Sequence, residues 1–260
     1  MFNNIFSNFS ISTFIFLAIA CFIGSFIDAI AGGGGLITVP AYISSGLPIH
    51  IALGCNKMSG TFSTVGSSLK YITSGKVNFK ALKYPVFSSL IGACLGVYIL
   101  NLINAKFLGP IVIALLLSVT IYTFTNKNMG LSSDFKGINK ENTFNGTLWA
   151  FIISFYIGFF GPGGGSFLIF AFIKIYHFDF IQASGNAKLI NLIANIASLI
   201  VFIFLGKIDY LYSVPLSLFS FVGAQCGAKF AIKKGSKFIR PVFLVIASMT
   251  TIKMIIELFF

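Results

Sequence analysis

The chain has 260 residues, is 57% hydrophobic and only 9% charged, and has a mean hydropathy of +0.94. A soluble domain carries about 25% charged residues, so this composition excludes a single soluble core and points to a polytopic membrane protein with one membrane domain. The net charge of +12, from 18 Lys and Arg against 6 acids, does not signal nucleic acid: the basic residues cluster between apolar runs, and no basic-aromatic motif accompanies them.

The N-terminus lacks Lys and Arg, and its first apolar run leads straight into glycines, so no removable signal peptide is expected. The hydropathy pattern predicts membrane segments over about 9–31, 34–46, 49–73, 80–103 and 106–126. A polar linker follows over about 127–142, then segments over about 143–160, 164–177, 180–205, 210–231 and 238–258. Most are long enough to cross a core of ~30 Å at ~1.5 Å per residue. Segments 34–46 and 164–177 are shorter, and each follows a glycine cluster, Gly32–Gly35 or Pro162–Gly165. The four cysteines, Cys21, Cys55, Cys94 and Cys226, lie in apolar segments without metal-ligand spacing and read as buried free thiols.

The two halves repeat each other. A shift of 131 positions superimposes Gly32-Gly33-Gly34 on Gly163-Gly164-Gly165, Lys57 on Lys188, and Gly75-Lys76 on Gly206-Lys207. It also brings GACLG at 92–96 onto GAQCG at 223–227, without a gap. The charge has moved between equivalent loops. Loop 70–83 carries Lys70, Lys76, Lys80 and Lys83, while 201–214 has only Lys207 beside Asp209. Loop 98–109 has Lys106 alone, whereas 229–240 has Lys229, Lys233, Lys234, Lys237 and Arg240. Under the positive-inside rule, equivalent loops then face opposite sides. The expected fold is an all-α polytopic membrane protein of two inverted repeats, a plan common in secondary transporters. The first repeat occupies 1–126, a cytoplasmic linker 127–142 and the second repeat 143–260. Each has about five segments, including the short one after the break. An inverted repeat needs an odd number of crossings per half, so the short segments are expected to change sides, giving ten.

The stretches DAIAGGGGLITVPAYISSGLPIHIALGCNKMSGTFSTVGSSLKYITSGKVN, GFFGPGGGSFLIFAF and ASGNAKLINLIANIASLIVFIFLGKID resemble the TauE/SafE family of sulfite-exporter-like membrane permeases. The resemblance covers about residues 15–255. It implies a permease for sulfite, sulfonates or other small anions. Family members are drawn with eight spans; the count here is ten because the short segments are taken as crossings.

The residues suggest how an anion is held. A helix broken inside a membrane is tolerated where the break is buried in protein or lines a watery cavity. The helix that follows presents free N–H groups and a partial positive charge, which attract anions. Gly32, Gly33, Gly34 and Gly35, with Gly163, Gly164 and Gly165, are therefore candidate substrate-binding residues; close helix packing is the structural alternative. Lys57 and Lys188 are symmetry mates in apolar segments and read as a cationic lining, or as side chains snorkelling to the interface. Asn56, Ser59, Asn186, Asn191 and Asn195 lie nearby and are candidate donors to ligand oxygens, or interhelical bonds. Asp28 is the only acid well inside a predicted span. It either couples transport to a proton or sodium ion or neutralises a lysine.

The sequence therefore reads as a secondary transporter, an exporter, of a small anion such as sulfite or an organosulfur compound. A passive anion channel is the alternative. An intramembrane serine protease is disfavoured, because Ser166 follows glycines but no histidine lies mid-span to serve it. No enzyme activity, cofactor, metal or nucleic-acid partner is expected. The expected partners are a small anion and the lipid bilayer, and the expected place is a bacterial inner membrane; a homo-oligomer is compatible with the sequence.

Overall fold

The structure is a computed structural model that describes residues 11–100 and 130–259. The segment expected over 106–126 lies outside the described residues. The rest is all-helical: α1 (Ile11–Ala31), α2 (Gly35–Ser44), α3 (Ile49–Thr73), α4 (Phe79–Leu100), α5 (Lys140–Phe159), α6 (Gly164–Tyr176), α7 (Phe180–Phe204), α8 (Tyr210–Lys234) and α9 (Ser236–Phe259). These helices match the expected segments closely. Four of them, α1, α4, α7 and α8, are long and apolar enough to cross a membrane by length and composition. The protein is an all-α, integral multi-pass membrane protein.

The polarity of a soluble protein is reversed. Ile11, Ile15, Phe16, Ile19 and Ile23 make an exposed apolar stripe on α1, and Phe87, Leu90, Ile91 and Tyr98 do the same on α4. Such stripes suit lipid rather than water. Polar residues point inward instead, most densely on α3, where Thr61, Thr64 and Ser67 each donate to the carbonyl four residues earlier. That local bond satisfies a hydroxyl that hydrocarbon cannot. The four cysteines are free as expected, but only Cys21 and Cys55 are buried; Cys94 is half-buried and Cys226 faces outward.

Glycine sets the closest helix approaches. On α4, a Cβ at Gly96 would lie 2.8 Å from Phe159 N of α5 and would overlap Phe155 O. On α8, a Cβ at Gly227 would lie 2.9 Å from Phe26 Cα of α1 and would overlap Phe26 O. The GACLG and GAQCG repeats thus make the same contact, each with the first helix of the other half. Gly54 and Gly185 also form a pair: a Cβ at Gly54 would overlap Lys207 O, and one at Gly185 would lie 2.7 Å from Lys76 O.

Contacts along the helices give their directions. Phe14 meets Phe219 and Phe26 meets Phe230, so α1 runs parallel to α8. Cys55 bonds Asp209 O and Gly66 packs on Phe221, so α3 joins them. Ser88 bonds Thr147 O and Gly96 abuts Phe159, so α4 and α5 are parallel to each other. Gly60 lies against Asn195, while Tyr71 lies against Gly185, so α3 and α7 are antiparallel. Asn78 N meets Asn186 and Ser89 Oγ meets Ile190 O, so α4 runs along α7; among the described helices α1 therefore runs against α5, α3 against α7 and α4 against α8.

The short helices fold back on the long ones. Asp28 with Gly34, Gly24 with Thr38, and Cys21 with Tyr42 set α2 antiparallel to α1. Tyr156 with Phe167 and Gly146 with Tyr176 do the same for α6 on α5. A 10-residue α2 and a 13-residue α6 reach only about 15 and 20 Å, less than a full core. The hairpins nonetheless turn the chain back toward the end where α1 or α5 began.

The lysine-rich segments gather at one end. Asn78 N donates to Asn186, Ser133 Oγ to Gln182 and Phe180 N to Gly130 O, while Ile181 N reaches Ser236 Oγ. The 70–83 loop, the linker and the start of α9 thus converge on the beginning of α7.

Gly96→Leu and Gly227→Leu should each destabilise the bundle by at least ~1–3 kcal/mol, because the side chain must push a facing backbone away. Thermal unfolding of detergent-purified protein would register this as a lower midpoint. Leu90→Val on the exposed face of α4 should leave the midpoint unchanged.

Candidate functional site

The site begins with the two breaks. Helix α1 stops at Ala31 because Gly32 and Gly33 take φ of 81° and 85°. Helix α5 stops at Phe159, and Gly161 and Gly163 take φ of 97° and 81°. Side chains rarely adopt these left-handed values, so glycine is required there. The breaks touch. Ser166 Oγ donates to Ala31 O at 2.9 Å, and a Cβ on Gly32 would lie 2.6 Å from the Gly165 carbonyl carbon. A Cβ on Gly35 would lie 3.3 Å from Pro162 Cα.

Both lysines cross to the opposite half. Lys188 Nζ on α7 lies 2.6 Å from Asp28 Oδ2 at the end of α1. The other carboxylate oxygen, Oδ1, accepts from Gly34 N at the start of α2, 3.2 Å away. Lys57 Nζ on α3 donates instead to Ile157 O at the end of α5. Lys57 and Lys188 are 2% and 0% exposed, so neither snorkels.

These contacts correct the internal alignment. Asp28 sits opposite Ile157, not Phe159 as the gapless shift of 131 implies. The helix α6 follows its break as α2 does, but the second half carries two more residues between the break and the next helix. Both glycine runs are long enough to match even when displaced, which hid the offset.

A cavity of about 50 Å³ lies between the breaks. Its charged lining residues among the described residues are Asp28 and Lys57. Gly33, Gly34 and Gly35 line one wall, and Gly163 and Gly165 another. Asn56, Ser59, Asn191 and Asn195 supply polar groups. Thr38 Oγ1 donates to Asn56 Oδ1 at 2.5 Å, which leaves the amide NH₂ as the free end of that side chain. Asn195 Nδ2 donates to Asn191 Oδ1 at 3.3 Å. Ser59 is tied to Tyr42 OH and to Cys55 O.

Four candidates do not line the cavity. Gly32 packs on Ser166, and Gly164 on Ile157. Lys188 stands behind Asp28. Asn186 is the clearest departure: it bonds Asn78 N and Gln182 O at the lysine-rich end, as an anchor for the α3–α4 turn. Thr38, Ser63 and Gly161 line the cavity and were not singled out from sequence. Ser63 is 3% exposed and its hydroxyl has no partner among the described residues. Helical spacing carried a signal for Ser63, which lies four residues beyond Ser59 on one face of α3.

The charge balance is uneven. Asp134 and Glu141 are exposed, and Asp179 and Asp209 cap α7 and α8. Residues 1–10 and 101–129 contain no acid at all. Among the described residues, Lys188 is paired with Asp28 while Lys57 meets only a neutral carbonyl. No group of three or more His, Cys, Asp or Glu that would hold a metal occurs among the described residues.

The family model "Sulfite exporter TauE/SafE" matches residues 16–254. The chain is 34% identical to "Probable membrane transporter protein ORF9" of Sinorhizobium sp, over 93% of this chain and 92% of that one. It is 33% identical to a "Probable membrane transporter protein" of Haemophilus influenzae, over 91% and 92% of the two chains. Identity to "Probable membrane transporter protein YfcA" of Escherichia coli K12 is 28%, over 90% and 87%. No solved structure matches. The chain belongs to the TauE/SafE family, whose names here describe membrane transporters rather than enzymes.

Removing one partner of a buried ion pair leaves a bare charge, at a cost of about 3–5 kcal/mol. Asp28→Ala should therefore lower the thermal midpoint strongly, and Asp28→Ala/Lys188→Met should recover most of the loss. Losses that simply add in the double variant would refute the pairing.

Proposed function

We propose that the chain is a secondary transporter, an exporter, of a small anion such as sulfite or an organosulfur compound. The anion binds near the bilayer midplane, between the two glycine breaks of two inverted halves. One observation carries the reading: Lys57 faces a buried polar cavity whose one acid among the described residues, Asp28, is paired with Lys188, while Lys57 bonds only the Ile157 carbonyl. An ammonium removed from water is costly unless an opposite charge joins it. A bound anion supplies that charge.

The surroundings fit. The starts of α2 and α6 turn their N–H ends toward the cavity from opposite halves, and such termini favour anions. Asn56, Ser59, Asn191 and Asn195 offer hydrogen bonds to ligand oxygens. Gly33 to Gly35, with Gly163 and Gly165, let a ligand approach the backbone. Gly32 and Gly164 hold the breaks in shape, Asn186 steadies one end of α7, and Lys188 acts through Asp28.

Asp28 is the coupling residue of this reading. It is the one acid on the cavity among the described residues. A proton on Asp28 would leave Lys188 uncompensated and strengthen the pull on an anion, so proton and anion favour each other's binding. The lysine-rich end is cytoplasmic by the positive-inside rule, in a bacterial inner membrane.

Flux into and out of proteoliposomes tests this. Sulfite, sulfate, thiosulfate, sulfoacetate and small carboxylates would be screened with and without an imposed pH gradient. Saturable movement of one of them, accelerated by the gradient, is expected. Lys57→Ala should reduce that flux at least tenfold while the protein still inserts and stays monodisperse. Unsaturable flux indifferent to proton and sodium gradients would mean a channel, and full flux in Lys57→Ala would remove the lysine from the site.

A further inference from the structure

We propose that the cavity is matched to a single monoanion, because Asp28 already fills one of two equivalent anion seats. The proposal rests on the anion-site reading above and adds the charge class of the ligand and the residue that sets it.

The first seat is at the start of α2. It offers the Gly34 N–H and the Lys188 ammonium, and the Asp28 carboxylate binds both, with Oδ1 at 3.2 Å and Oδ2 at 2.6 Å. This is how a free carboxylate or sulfonate would bind there: one oxygen on a helix N-terminus, one on a cation. The protein carries its own anion on α1.

The second seat is its counterpart at the start of α6. Lys57 is the mate of Lys188, and the Gly163 end of α6 corresponds to the Gly34 end of α2. The position equivalent to Asp28 is Ile157, which has no charge, and Lys57 takes its main-chain oxygen instead. Two further groups at this cavity await a partner. Asn191 is 7% exposed and spends its carbonyl oxygen on Asn195, and its NH₂ has no partner among the described residues. The Ser63 hydroxyl has none among the described residues either.

With Asp28 ionised and paired, the local charge is one Asp28–Lys188 pair plus one uncompensated ammonium. A monoanion brings the site to neutrality. A dianion would leave one negative charge in surroundings that screen it poorly, and would lie near the Asp28 carboxylate. Hydrogensulfite, a sulfonate or a monocarboxylate meets the requirement; sulfate does not.

Methanesulfonate and sulfate are close in shape and differ by one charge, so they are suitable probes. Their binding to the purified full-length protein at one fixed pH would be measured with radiolabelled ligand, with sulfite as competitor. The wild type should favour methanesulfonate by about tenfold or more. Asp28→Asn empties the first seat and should move the ratio toward sulfate by at least about tenfold. Asp28→Asn/Lys188→Gln removes the seat's cation as well, and should return the preference to methanesulfonate. If the single variant does not fold, the double variant still decides, because a preference for sulfate in it would contradict the scheme. Equal binding of both probes to the wild type would overturn the proposal, as would an unchanged ratio in Asp28→Asn. Competition by sulfite without any charge preference would overturn this proposal alone; no binding of either probe or of sulfite would overturn the anion site with it.

Discussion

A charge buried inside a membrane bundle must be answered by another charge, and this constraint organises the centre of the protein. Two lysines stand at equivalent places on antiparallel helices α3 and α7, far from water. Each reaches across to the end of the other half's first helix. There one meets Asp28 and the other a main-chain oxygen. The halves are thus tied by their most costly groups. The same reach places both ammonium ions beside the breaks, where helix N-termini reinforce any negative charge.

The constraint depends on backbone proximity, which glycine supplies. Gly96 and Gly227 let α4 and α8 lie directly on α5 and α1, so each half packs its fourth helix on the other half's first. Gly54 and Gly185 admit the carbonyls of the opposite half at each end of α3 and α7. Lipid gives helices no hydrophobic reason to associate, so close van der Waals contact must do it. With the frame packed this tightly, the breaks can be held open as a polar cavity rather than collapsing. Ser166 and Tyr156 tie the loose main-chain oxygens of Ala31 and Pro162, as hydrocarbon surroundings demand.

Much of this was legible in the sequence. Apolar run lengths placed nearly every described helix, and the exchange of lysines between equivalent loops matches the opposed directions of α1 and α5, α3 and α7, and α4 and α8. Gly32 to Gly35, Gly163 to Gly165, Lys57 and Asp28 drew notice because each is expensive in a membrane without a reason. What escaped was register and direction of side chains. Glycine runs carry no side-chain pattern, so a two-residue offset at the breaks left no trace, and Ile157 was not recognised as the counterpart of Asp28. Asn186 sits two residues from Lys188, yet points to the other side of α7, toward the 75–80 turn. Thr38 is an unremarkable residue in sequence until the hairpin of α2 on α1 brings it to Asn56.

The Asp28–Ile157 difference also shows how a duplicated frame acquires a single site. Two identical halves would present two identical seats, and two uncompensated lysines within one small cavity would repel each other as well as lack solvation. Changing one residue in one half resolves both problems. The carboxylate neutralises Lys188, occupies its helix end and leaves Lys57 as the one buried lysine without a counter-charge among the described residues. The scaffold stays symmetric where it packs, at Gly92 with Gly223 and Gly96 with Gly227. Asymmetry is confined to the place where charge has to be balanced, and there it converts a paired structural motif into one polarised binding position.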